Sequence, residues 1–245
     1  VTKAHAIVRG EMPDLGCRTG DFFFLEQPDA FAQQRLVVDL VSRRLPKSYG
    51  YDPLRDIQVI TPAKQGPLGT RELNRLLQGK LNPPERGKGE APLMGRTLRE
   101  GDKVMQIRNN YDIIWQQPDG TAGTGIFNGD MGIIEMLDPG SKTIQVRFEE
   151  KLATYSFENQ DQLEHAYAVT VHKSQGSEFE AVVMPLERRH PKLHYRNLLY
   201  TAVTRARKLL IMTGQKETVY AMVQNNRRTL RYTNQKEMLQ EMCDE

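Results

Sequence analysis

The densest group of chemically reactive side chains in the sequence lies at residues 166–179. An apolar run ends at Thr170, and hydroxyl, imidazole, ammonium and amide groups then crowd around Gly176. Burying such a group without a hydrogen-bond partner costs roughly 1–3 kcal/mol. The segment is therefore predicted to lie at the edge of a sheet, facing ligand or solvent, where α/β proteins bind their ligands. The alternative is an ordinary polar turn between a strand and a helix.

A second candidate is Arg205, in a stretch whose apolar residues recur at helical spacing. The pattern predicts a helix over 196–207 with one packing stripe, formed by Tyr200, Val203 and Ala206. Arg205 lies off that stripe, so its guanidinium could reach a phosphate and neutralise the charge that develops in phosphoryl transfer. The alternative is a solvated arginine at a helix C-terminus, next to Arg207 and Lys208, where cations interact favourably with the helix dipole.

A third, weaker candidate follows the apolar run at 57–60. Thr61 ends this predicted strand, and the next residues offer Lys64, Gln65 and backbone amides near two glycines. This composition suits contact with the phosphates of a nucleic-acid strand. It suits any tight crossover loop equally well, so the pattern alone leaves both interpretations open.

Both ends of the chain show the alternation of strands and helices that would position such edge residues. Buried-strand runs are predicted at 22–25, 57–60, 181–184 and 209–212, with amphipathic helices after each of them. Asp29 is predicted to cap the first of these helices, and Pro46 to end it. The alternation predicts an α/β fold, a mostly parallel sheet with helices on both faces. Since neither end has enough strands alone, the two ends are predicted to share one sheet.

The middle segment differs in charge and in periodicity. Residues 101–165 carry 5 Lys/Arg and 11 Asp/Glu, whereas 1–100 carry 16 and 12, and 166–245 carry 13 and 8. Short alternating strands, joined by turn sequences such as Asn128-Gly129-Asp130, predict a small antiparallel barrel. These predicted strands lie at 103–107, 132–137, 143–148 and 153–157. The preceding stretch 82–95, rich in proline and glycine, is predicted to be a linker or exposed loop.

Composition excludes several classes of protein. The 245 residues include 2 cysteines, Cys17 and Cys243, which excludes a disulfide scaffold and a cysteine-rich zinc site. No apolar run reaches the roughly 18 residues of a membrane helix, and no signal peptide opens the chain. We therefore expect a cytoplasmic protein without membrane contact. The basic ends of the chain are the expected place for a polyanionic partner.

The order and wording of these stretches resemble the C-terminal half of superfamily 1B DNA helicases of the RecD/TraA type. The segment T-V-H-K-S-Q-G-S-E-F at 170–179 resembles helicase motif V, and T-A-V-T-R-A at 201–206 resembles motif VI. Residues 4–13 and 127–132 look like the same family, so the likeness runs over nearly the whole chain.

The resemblance implies the architecture of the second half of a helicase motor. A RecA-like domain, 2A, would be formed by residues 1–98 and 165–245. The residues between them, 99–164, would form an inserted SH3-like barrel, 2B. This architecture agrees with the parallel sheet and the antiparallel insertion that the periodicity predicts.

The resemblance also implies a role for each motif residue. Arg205 would be the arginine finger that reaches the γ-phosphate of the nucleotide. The nucleotide side of motif V would comprise Gln175, Gly176 and Glu178. The residues nearer DNA would be Thr61 and Lys64, on the DNA backbone, and Thr170, His172, Lys173 and Ser174. For His172, a structural role with a hydrogen bond to a neighbouring carbonyl is the alternative; no metal site is expected, since no metal-ligand spacing surrounds it.

By the same resemblance, the intact enzyme would be an ATP-dependent DNA helicase that moves 5′ to 3′ on single-stranded DNA in recombination or repair. ATP and Mg²⁺ would bind chiefly to a first motor domain, 1A, through a P-loop of the form G-x-x-x-x-G-K-[ST]. The sequence has no such segment: Gly79-Lys80 and Gly87-Lys88 lack both the first glycine and the hydroxyl residue. Nor does a buried strand end in paired Asp-Glu to hold Mg²⁺. We expect domain 1A to lie outside this chain, which alone would bind no cofactor and be inactive.

Two other functions fit parts of the sequence. An RNA-acting superfamily 1 motor would use the same backbone contacts, because phosphate contacts discriminate sugars poorly. A non-catalytic nucleic-acid-binding or protein-docking module would leave Arg205, Gly176 and Glu178 without a role. The partners expected from the resemblance are single-stranded DNA, domain 1A and helicase–nuclease subunits, in a bacterial cytoplasm.

The role of the barrel is left open by its sequence. Its acidic charge argues against a broad phosphate-binding face. Five residues could form a local patch on which a base stacks, namely Arg108, Asn109, Asn110, Tyr111 and Trp115. Trp115 and Tyr111 could equally cover the core of the barrel or lie on a hairpin.

Overall fold

A computed structural model describes residues 4–17, 19–93, 95–188 and 193–226 of the chain. The α-helices in these residues are α1 (Ala4–Arg9), α2 (Ala30–Asp39), α3 (Leu45–Tyr49), α4 (Thr70–Leu81), α5 (Arg196–Val203) and α6 (Lys216–Gln224). A π-helical turn, Leu40–Arg44, joins α2 to α3, and a 3-10 helix spans Phe157–Gln162. None of these helices combines the length and the apolar character that crossing a bilayer requires.

The strands of the described residues fall into three sheets. They are β1 (Phe22–Glu26), β2 (Ile57–Thr61), β3 (Glu90–Leu93), β4 (Arg96–Arg99), β5 (Lys103–Gln106), β6 (Asn110–Gln116), β7 (Ala122–Ile126), β8 (Met131–Asp138), β9 (Thr143–Phe148), β10 (Lys151–Ser156), β11 (Leu163–His165), β12 (Ala168–Thr170), β13 (Phe179–Pro185) and β14 (Ala206–Gly214).

Five strands from the two ends of the chain form one parallel sheet, as predicted. Its order is β1-β14-β13-β2-β12, and each neighbouring pair is parallel. β2 and β12 lie side by side, with Thr61 opposite Thr170. Because parallel strands end at the same edge of a sheet, the loop after β2 and the turn after β12 are neighbours.

Helices cover both faces of the parallel sheet because its strands are apolar on both sides. Helices α1, α5 and α6 pack on one face, where Leu199 is buried against strand residues that include Val182. Helices α2 and α4 pack on the other, where Leu73 is buried with Val183. Adjacent residues of β13 therefore serve opposite cores, and the prediction of a two-faced α/β sheet is confirmed.

The helix that follows β1 continues past the proline that was predicted to end it. Asp29 caps its start, since the carboxylate accepts a backbone N–H of the first turn at 2.7 Å. Before Pro46 the helix widens into the π turn, in which Leu45 N donates to Leu40 O, five residues earlier. The wider turn accommodates a proline, which lacks an N–H and crowds an ordinary α-turn. The helix ends at Gly50, with φ of +71°.

The middle segment forms a seven-stranded antiparallel sheet in the order β11-β5-β8-β9-β10-β6-β7. The four predicted strands are present as β5, β8, β9 and β10, with small changes at their ends. Alternate residues of β9 are buried in the barrel core, as in Ile144 and Val146. The hairpin of β6 and β7 was not predicted as strands, because half of its strand residues are exposed and burial does not alternate regularly.

The stretch 82–95, predicted to be a linker or exposed loop, is an exposed loop over 83–87, but its later residues form strand β3. Strand β3 pairs antiparallel with β4 as a two-stranded hairpin. The Asn82 side chain is buried and donates to Glu100 O at 2.9 Å. Proline and glycine correctly marked turns here, but composition does not reveal that the residues beside a turn pair with a later segment.

A buried carboxylate joins the barrel to the parallel-sheet domain. Asp102 is 0% exposed. Its oxygens contact Asn82 Nδ2 (2.7 Å), Gln78 Nε2 (2.7 Å), Arg99 N (2.9 Å), Tyr167 OH (2.9 Å) and His165 Nε2 (3.0 Å). We call Asp102 and these five partners the joint. Asp102 lies where the chain enters the barrel and His165 where it returns, so one carboxylate holds both crossings against α4.

Lys103 extends this buried polar region. Its Nζ donates to Ile57 O at 3.4 Å and lies 5.8 Å from the centre of the Phe179 ring. Burial lowers the pKa of Lys103 to about 8, because the charged form loses its hydration; Asp52 and Asp56 oppose the shift. Burial likewise raises the pKa of the Tyr167 hydroxyl far above its ordinary value, and Asp102 adds to that shift.

Candidate nucleotide and nucleic-acid interface

The candidate site begins where β12 ends at the edge of the parallel sheet. The chain leaves Thr170 in a tight turn over residues 171–177, which we call the polar turn. Lys173 N and Ser174 N donate to Thr170 O at 3.0 and 3.1 Å. The buried Ser174 hydroxyl donates to Val171 O at 2.8 Å, so it closes the turn from inside.

The outer half of the polar turn is exposed. His172, Gln175 and Gly176 face solvent, and so does Glu178, which directly follows the turn. Gly176 has φ of +87°, and a Cβ there would meet no atom within 4 Å. Glycine is therefore required by the backbone conformation rather than by crowding. Glu178 pairs with Arg207, its carboxylate accepting from Nε at 3.0 Å.

Arg205 lies in the turn between α5 and β14 rather than inside a helix. The helix predicted over 196–207 ends at Val203, because Ala206 already belongs to β14 and pairs with Phe179 of β13. Thr204 closes the helix and leaves Arg205 in the connection to the strand. The predicted stripe accordingly loses Ala206 to the sheet.

The Arg205 guanidinium connects motif VI to the polar turn. It is partly buried and donates to Ser177 O at 3.0 Å, to Thr201 O at 3.1 Å and to Thr204 Oγ1 at 3.1 Å. Phe179 N in turn donates to Arg205 O at 2.9 Å. The structure thus brings the predicted arginine and the predicted polar turn together. The bond to Thr201 O, in the last turn of α5, is a contact that the helix-end alternative predicts, but the guanidinium is partly buried rather than solvated.

The loop after β2 forms the neighbouring wall. The buried Thr61 hydroxyl donates to Leu68 O at 2.7 Å, which ties the two ends of the loop together. Lys64 is exposed within this loop. Gly69 follows, where a Cβ would lie 2.6 Å from Gln65 O, so the loop is as tight as its glycines suggest.

The six residues predicted to contact DNA divide into two groups. Lys64 and His172 are exposed, and Lys173 is partly exposed, with Nζ 2.9 Å from Glu164 Oε2. The hydroxyl residues are buried and engaged inside the protein, namely Thr61, Thr170 and Ser174. Their contact with DNA stays a prediction; the observed bonds indicate that they shape the turns carrying the cations. The His172 ring makes no hydrogen bond to the described residues, unlike a structural histidine.

Reasoning from the sequence missed Glu164 and Arg96 beside these cations. Arg96 of β4 donates to Leu163 O, the residue before Glu164. Burial raises the pKa of Glu164, but Lys173, Arg96 and Lys64 outweigh it and hold that pKa below its ordinary value. Burial lowers the pKa of Arg96, against the pull of Glu164. No local motif marks either residue, because Glu164 reaches the site through the fold of the barrel and Arg96 through the β3–β4 hairpin.

The patch considered on the barrel is divided by the structure. Tyr111 is 66% exposed and meets Phe127 edge-on, with ring centres 5.6 Å apart. Trp115 is partly buried against the barrel core, with Lys151 Nζ 4.7 Å from its ring. Arg108 pairs with Asp161. Tyr111 therefore remains open to a ligand, whereas Trp115 covers the core.

The site can be tested for its fit to ATP and Mg²⁺. The Arg205 guanidinium and the exposed backbone around Gly176 suit one side of a triphosphate, because both present donors to an anion. The described residues contain no group of three or more His, Cys, Asp or Glu side chains arranged to hold a metal ion. The donors of this site fit the phosphates of a nucleotide.

Two family models match the chain. The model described as ATP-dependent RecD-like DNA helicase SH3 domain matches residues 73–148, and the model described as UvrD-like helicase C-terminal domain matches residues 165–213. The first match includes β5, β8 and β9 of the antiparallel sheet. The second includes the polar turn and Arg205.

Known proteins are similar over most of the chain. The ATP-dependent RecD2 DNA helicase of Deinococcus radiodurans is 33% identical over 214 residues, which cover 87% of this chain and 26% of the relative. The RecBCD enzyme subunit RecD of Buchnera aphidicola subsp. Schizaphis graminum is 26% identical over 172 residues, covering 69% and 26%. A solved Pif1 helicase from Bacteroides, in complex with ADP-AlF3 and ssDNA, has a TM-score of 0.48 and 15% identity, covering 99% of this chain and 53% of that one.

The chain spans about a quarter of the length of these curated relatives. Within that length, one family model covers most strands of the barrel, from β5 to β9, and the other covers β12, β13, α5 and most of β14 in the parallel-sheet domain. The chain therefore belongs to the RecD-like helicase family, whose SH3 domain and UvrD-like C-terminal domain it carries.

Proposed function

We propose that this chain is the C-terminal motor half, domains 2A and 2B, of an ATP-dependent DNA helicase that moves 5′ to 3′ on single-stranded DNA. Residues 1–98 and 165–245 form 2A, and 99–164 form 2B. The RecD relatives support a DNA helicase, and the basic flanks support a polyanionic partner.

The observation that carries the proposal is the placement of Arg205 against the polar turn. Its guanidinium lies 3.0 Å from Ser177 O, next to the exposed Gln175–Gly176 segment. Arg205 acts as the arginine finger, and Gln175, Gly176 and Glu178 line the nucleotide side of the turn. ATP with Mg²⁺, held chiefly by a 1A motor domain, supplies the phosphoryl group whose developing charge Arg205 stabilises.

The same edge grips single-stranded DNA through its phosphates. Lys64 and His172, both exposed, and Lys173 present donors along the ends of β2 and β12. Thr61, Thr170 and Ser174 hold the backbone of this edge in the shape that DNA meets. Such contacts read the backbone rather than the bases, so binding is sequence-tolerant and weakens as salt rises.

Domain motion links the two halves of this site. Arg205 pulls 2A toward the nucleotide side, and the polar turn transmits that movement to Lys173, which lies four residues before Ser177. Release of the arginine lets the domains part and moves the DNA grip along the strand. We expect the 245-residue chain alone not to hydrolyse ATP, because its sequence contains no P-loop.

The first test compares Arg205→Ala with Arg43→Ala in the longer helicase that contains this chain. Arg43 is an exposed arginine of the same domain that pairs with Asp39 at the surface, outside the proposed site. Arg205→Ala is expected to lower the DNA-stimulated ATPase rate about a thousandfold or more. Arg43→Ala is expected to keep the rate within about twofold, since exposed ion pairs contribute little.

Three results would contradict the proposal. Equal ATPase rates for the two variants would remove Arg205 from the nucleotide site. Robust turnover by the isolated chain would mean that the nucleotide site lies elsewhere. Unwinding of matched RNA but not DNA substrates by the longer protein would favour the RNA motor. A folded protein with wild-type melting temperature is required of each variant.

A further inference from the structure

Glu164 lies among the cations of the proposed DNA grip. Lys173 Nζ is 2.9 Å from Glu164 Oε2, and the two side chains are 24% and 40% exposed. Glu164 belongs to β11, the strand by which the chain leaves the barrel. The ion pair therefore ties the polar turn of the motor domain to the barrel, at a place that solvent and ligand can reach.

Arg96 approaches the same carboxylate from a different element. It lies on β4 of the hairpin and donates to Leu163 O and, at 3.5 Å, to Gln160 O. Its Nε is buried and makes no hydrogen bond within the described part of the chain. The guanidinium is thus anchored to the backbone one residue before Glu164. Since Nε is enclosed, the donor left for a ligand is Nη1, which bonds to none of the described residues.

Lys64 reaches the region from the parallel sheet. It is exposed in the loop after β2, and β2 lies beside β12, whose end leads to Lys173. Lys64, Lys173 and Arg96 all favour the charged form of Glu164, and so lower its pKa against the effect of burial. Lys173 therefore contacts this carboxylate directly, and the charges of Lys64 and Arg96 act on it from two other elements.

We propose that Glu164 occupies the position of a nucleic-acid phosphate between Lys64, Lys173 and Arg96, so that the strand must displace this carboxylate to bind, and that Arg96 is a further phosphate contact. A carboxylate and a phosphodiester each carry one negative charge and accept from the same donors. The inference rests on the proposed function, since it adds a competitor and a contact to that DNA grip.

The consequence of this arrangement is a weakened grip. When Lys173 exchanges Glu164 for a phosphate, one charged contact replaces another, and the gain in free energy is small. The displaced carboxylate then lies near the phosphate and repels it. A motor that must release its strand in every cycle benefits from such a competitor.

The test is the affinity of the 245-residue chain for a labelled single-stranded oligonucleotide of about 20 nucleotides, long enough for such a site. Fluorescence anisotropy is measured at several KCl concentrations. Glu164→Gln keeps the shape of the side chain and removes the charge, so the affinity is expected to rise about three- to tenfold. The matched control is Glu150→Gln, an exposed acid of the same barrel in the turn after β9; it is expected to change the affinity less than twofold.

Two substitutions separate the charge of Arg96 from the geometry of its guanidinium. Arg96→Gln is expected to weaken binding and to lower the salt slope of log K by about 1. Because Arg96 also bonds to the backbone of 160–163, thermal melting checks that the variant folds. Arg96→Lys retains the charge and is expected to keep the salt slope if the hairpin is intact.

Coupling between the residues separates competition from simple charge removal. In a Lys173→Gln background, Glu164→Gln is expected to lose most of its gain, because the partner that it frees is gone. A gain equal to that of Glu150→Gln, a loss of affinity, or a full gain in the Lys173→Gln background would each overturn the inference.

These outcomes are distinguishable from failure of the proposed function. If Lys64→Gln and Lys173→Gln weaken binding while Glu164→Gln brings no gain, the DNA grip stands and the competitor role is wrong. If neither lysine variant changes the affinity, or the wild-type chain does not bind, the grip and this inference are both wrong.

Discussion

The polar turn beside Arg205 and the joint around Asp102 contain the same kinds of side chains but differ in how these side chains are exposed and bonded. In the joint, amide, imidazole, phenol and backbone donors surround a carboxylate that is 0% exposed. In the polar turn, the buried Ser174 hydroxyl closes the backbone while His172, Gln175 and Gly176 remain exposed. A hydrogen-bond network whose donors and acceptors are all paired within the protein fixes the geometry of the fold. A network with exposed, unpaired groups on its outer side can bond to a ligand.

The joint should therefore fail when its carboxylate is removed. Asp102→Ala leaves buried donors from several elements without an acceptor, and we expect the free energy of unfolding to fall by about 3–5 kcal/mol. Urea denaturation measures the change. Asp112→Ala, an exposed acid in β6, is the control and should stay within about 0.5 kcal/mol. Equal effects of the two substitutions would remove the distinction between the joint and the surface.

Lys103 marks where the buried polar region is incompletely satisfied. With a pKa of about 8 when folded, against about 10.4 when unfolded, the folded chain holds this proton less tightly. The destabilisation caused by burying the charged ammonium group is fully present below pH 8 and disappears as the pH rises toward about 10.4. Lys103 therefore makes the free energy of unfolding rise with pH in that window. Lys103→Met is expected to raise the free energy of unfolding at pH 7 by up to about 3 kcal/mol.

Urea unfolding at pH 7, 8.5 and 10 measures this difference, which should shrink with rising pH. Lys80→Met, an exposed lysine of α4, is the matched control and should show no such trend. A Lys103→Met protein that is less stable than wild type at every pH would mean that the ammonium group is well compensated where it lies.

The polar turn depends on backbone conformation at one position. Gly176→Ala forces a Cβ into φ of +87° without any clash, and we expect a loss of about 1 kcal/mol. Gly79→Ala is the instructive control, since Gly79 lies inside α4 with equally open space and an ordinary φ. It should gain about 0.5–1 kcal/mol from helix propensity. Thermal melting of both variants gives the two signs, and a shared sign would show that turn strain does not decide the effect.

Much of the motor-like domain could be predicted because its signals are local. Apolar runs marked β1, β2, β13 and β14, and helical spacing marked the helices between them. The end of α5 could not be predicted from the sequence, since Ala206 enters the sheet by pairing with Phe179 of β13. A helical pattern continues through that point in sequence, and only the neighbouring strand shows that it stops.

The sequence predicted which residues belong to the candidate site better than it predicted the hydrogen bonds among them. Arg205 and the polar turn were expected to lie together, and Arg205 donates to Ser177 O at 3.0 Å. That Thr61 and Ser174 turn their hydroxyls inward was not foreseeable, because hydroxyl groups suit internal caps and ligand contacts equally well. Glu164, which we propose competes with a nucleic-acid phosphate, was not foreseeable either, because it belongs to a strand of the barrel and lies in no motif.

The amino-acid sequence alone determined which residue types lie at the ends of the strands. It thereby determined the α/β class, the inserted antiparallel unit and the family resemblance. Contacts between distant segments settled the rest: Asp102 meets His165 across 63 positions, and Arg96 meets Leu163 across 67. Periodicity reports which face of a strand or helix is apolar. The burial of a charge, and the partner that makes it tolerable, depend on where the chain returns, and that is a property of the packed molecule.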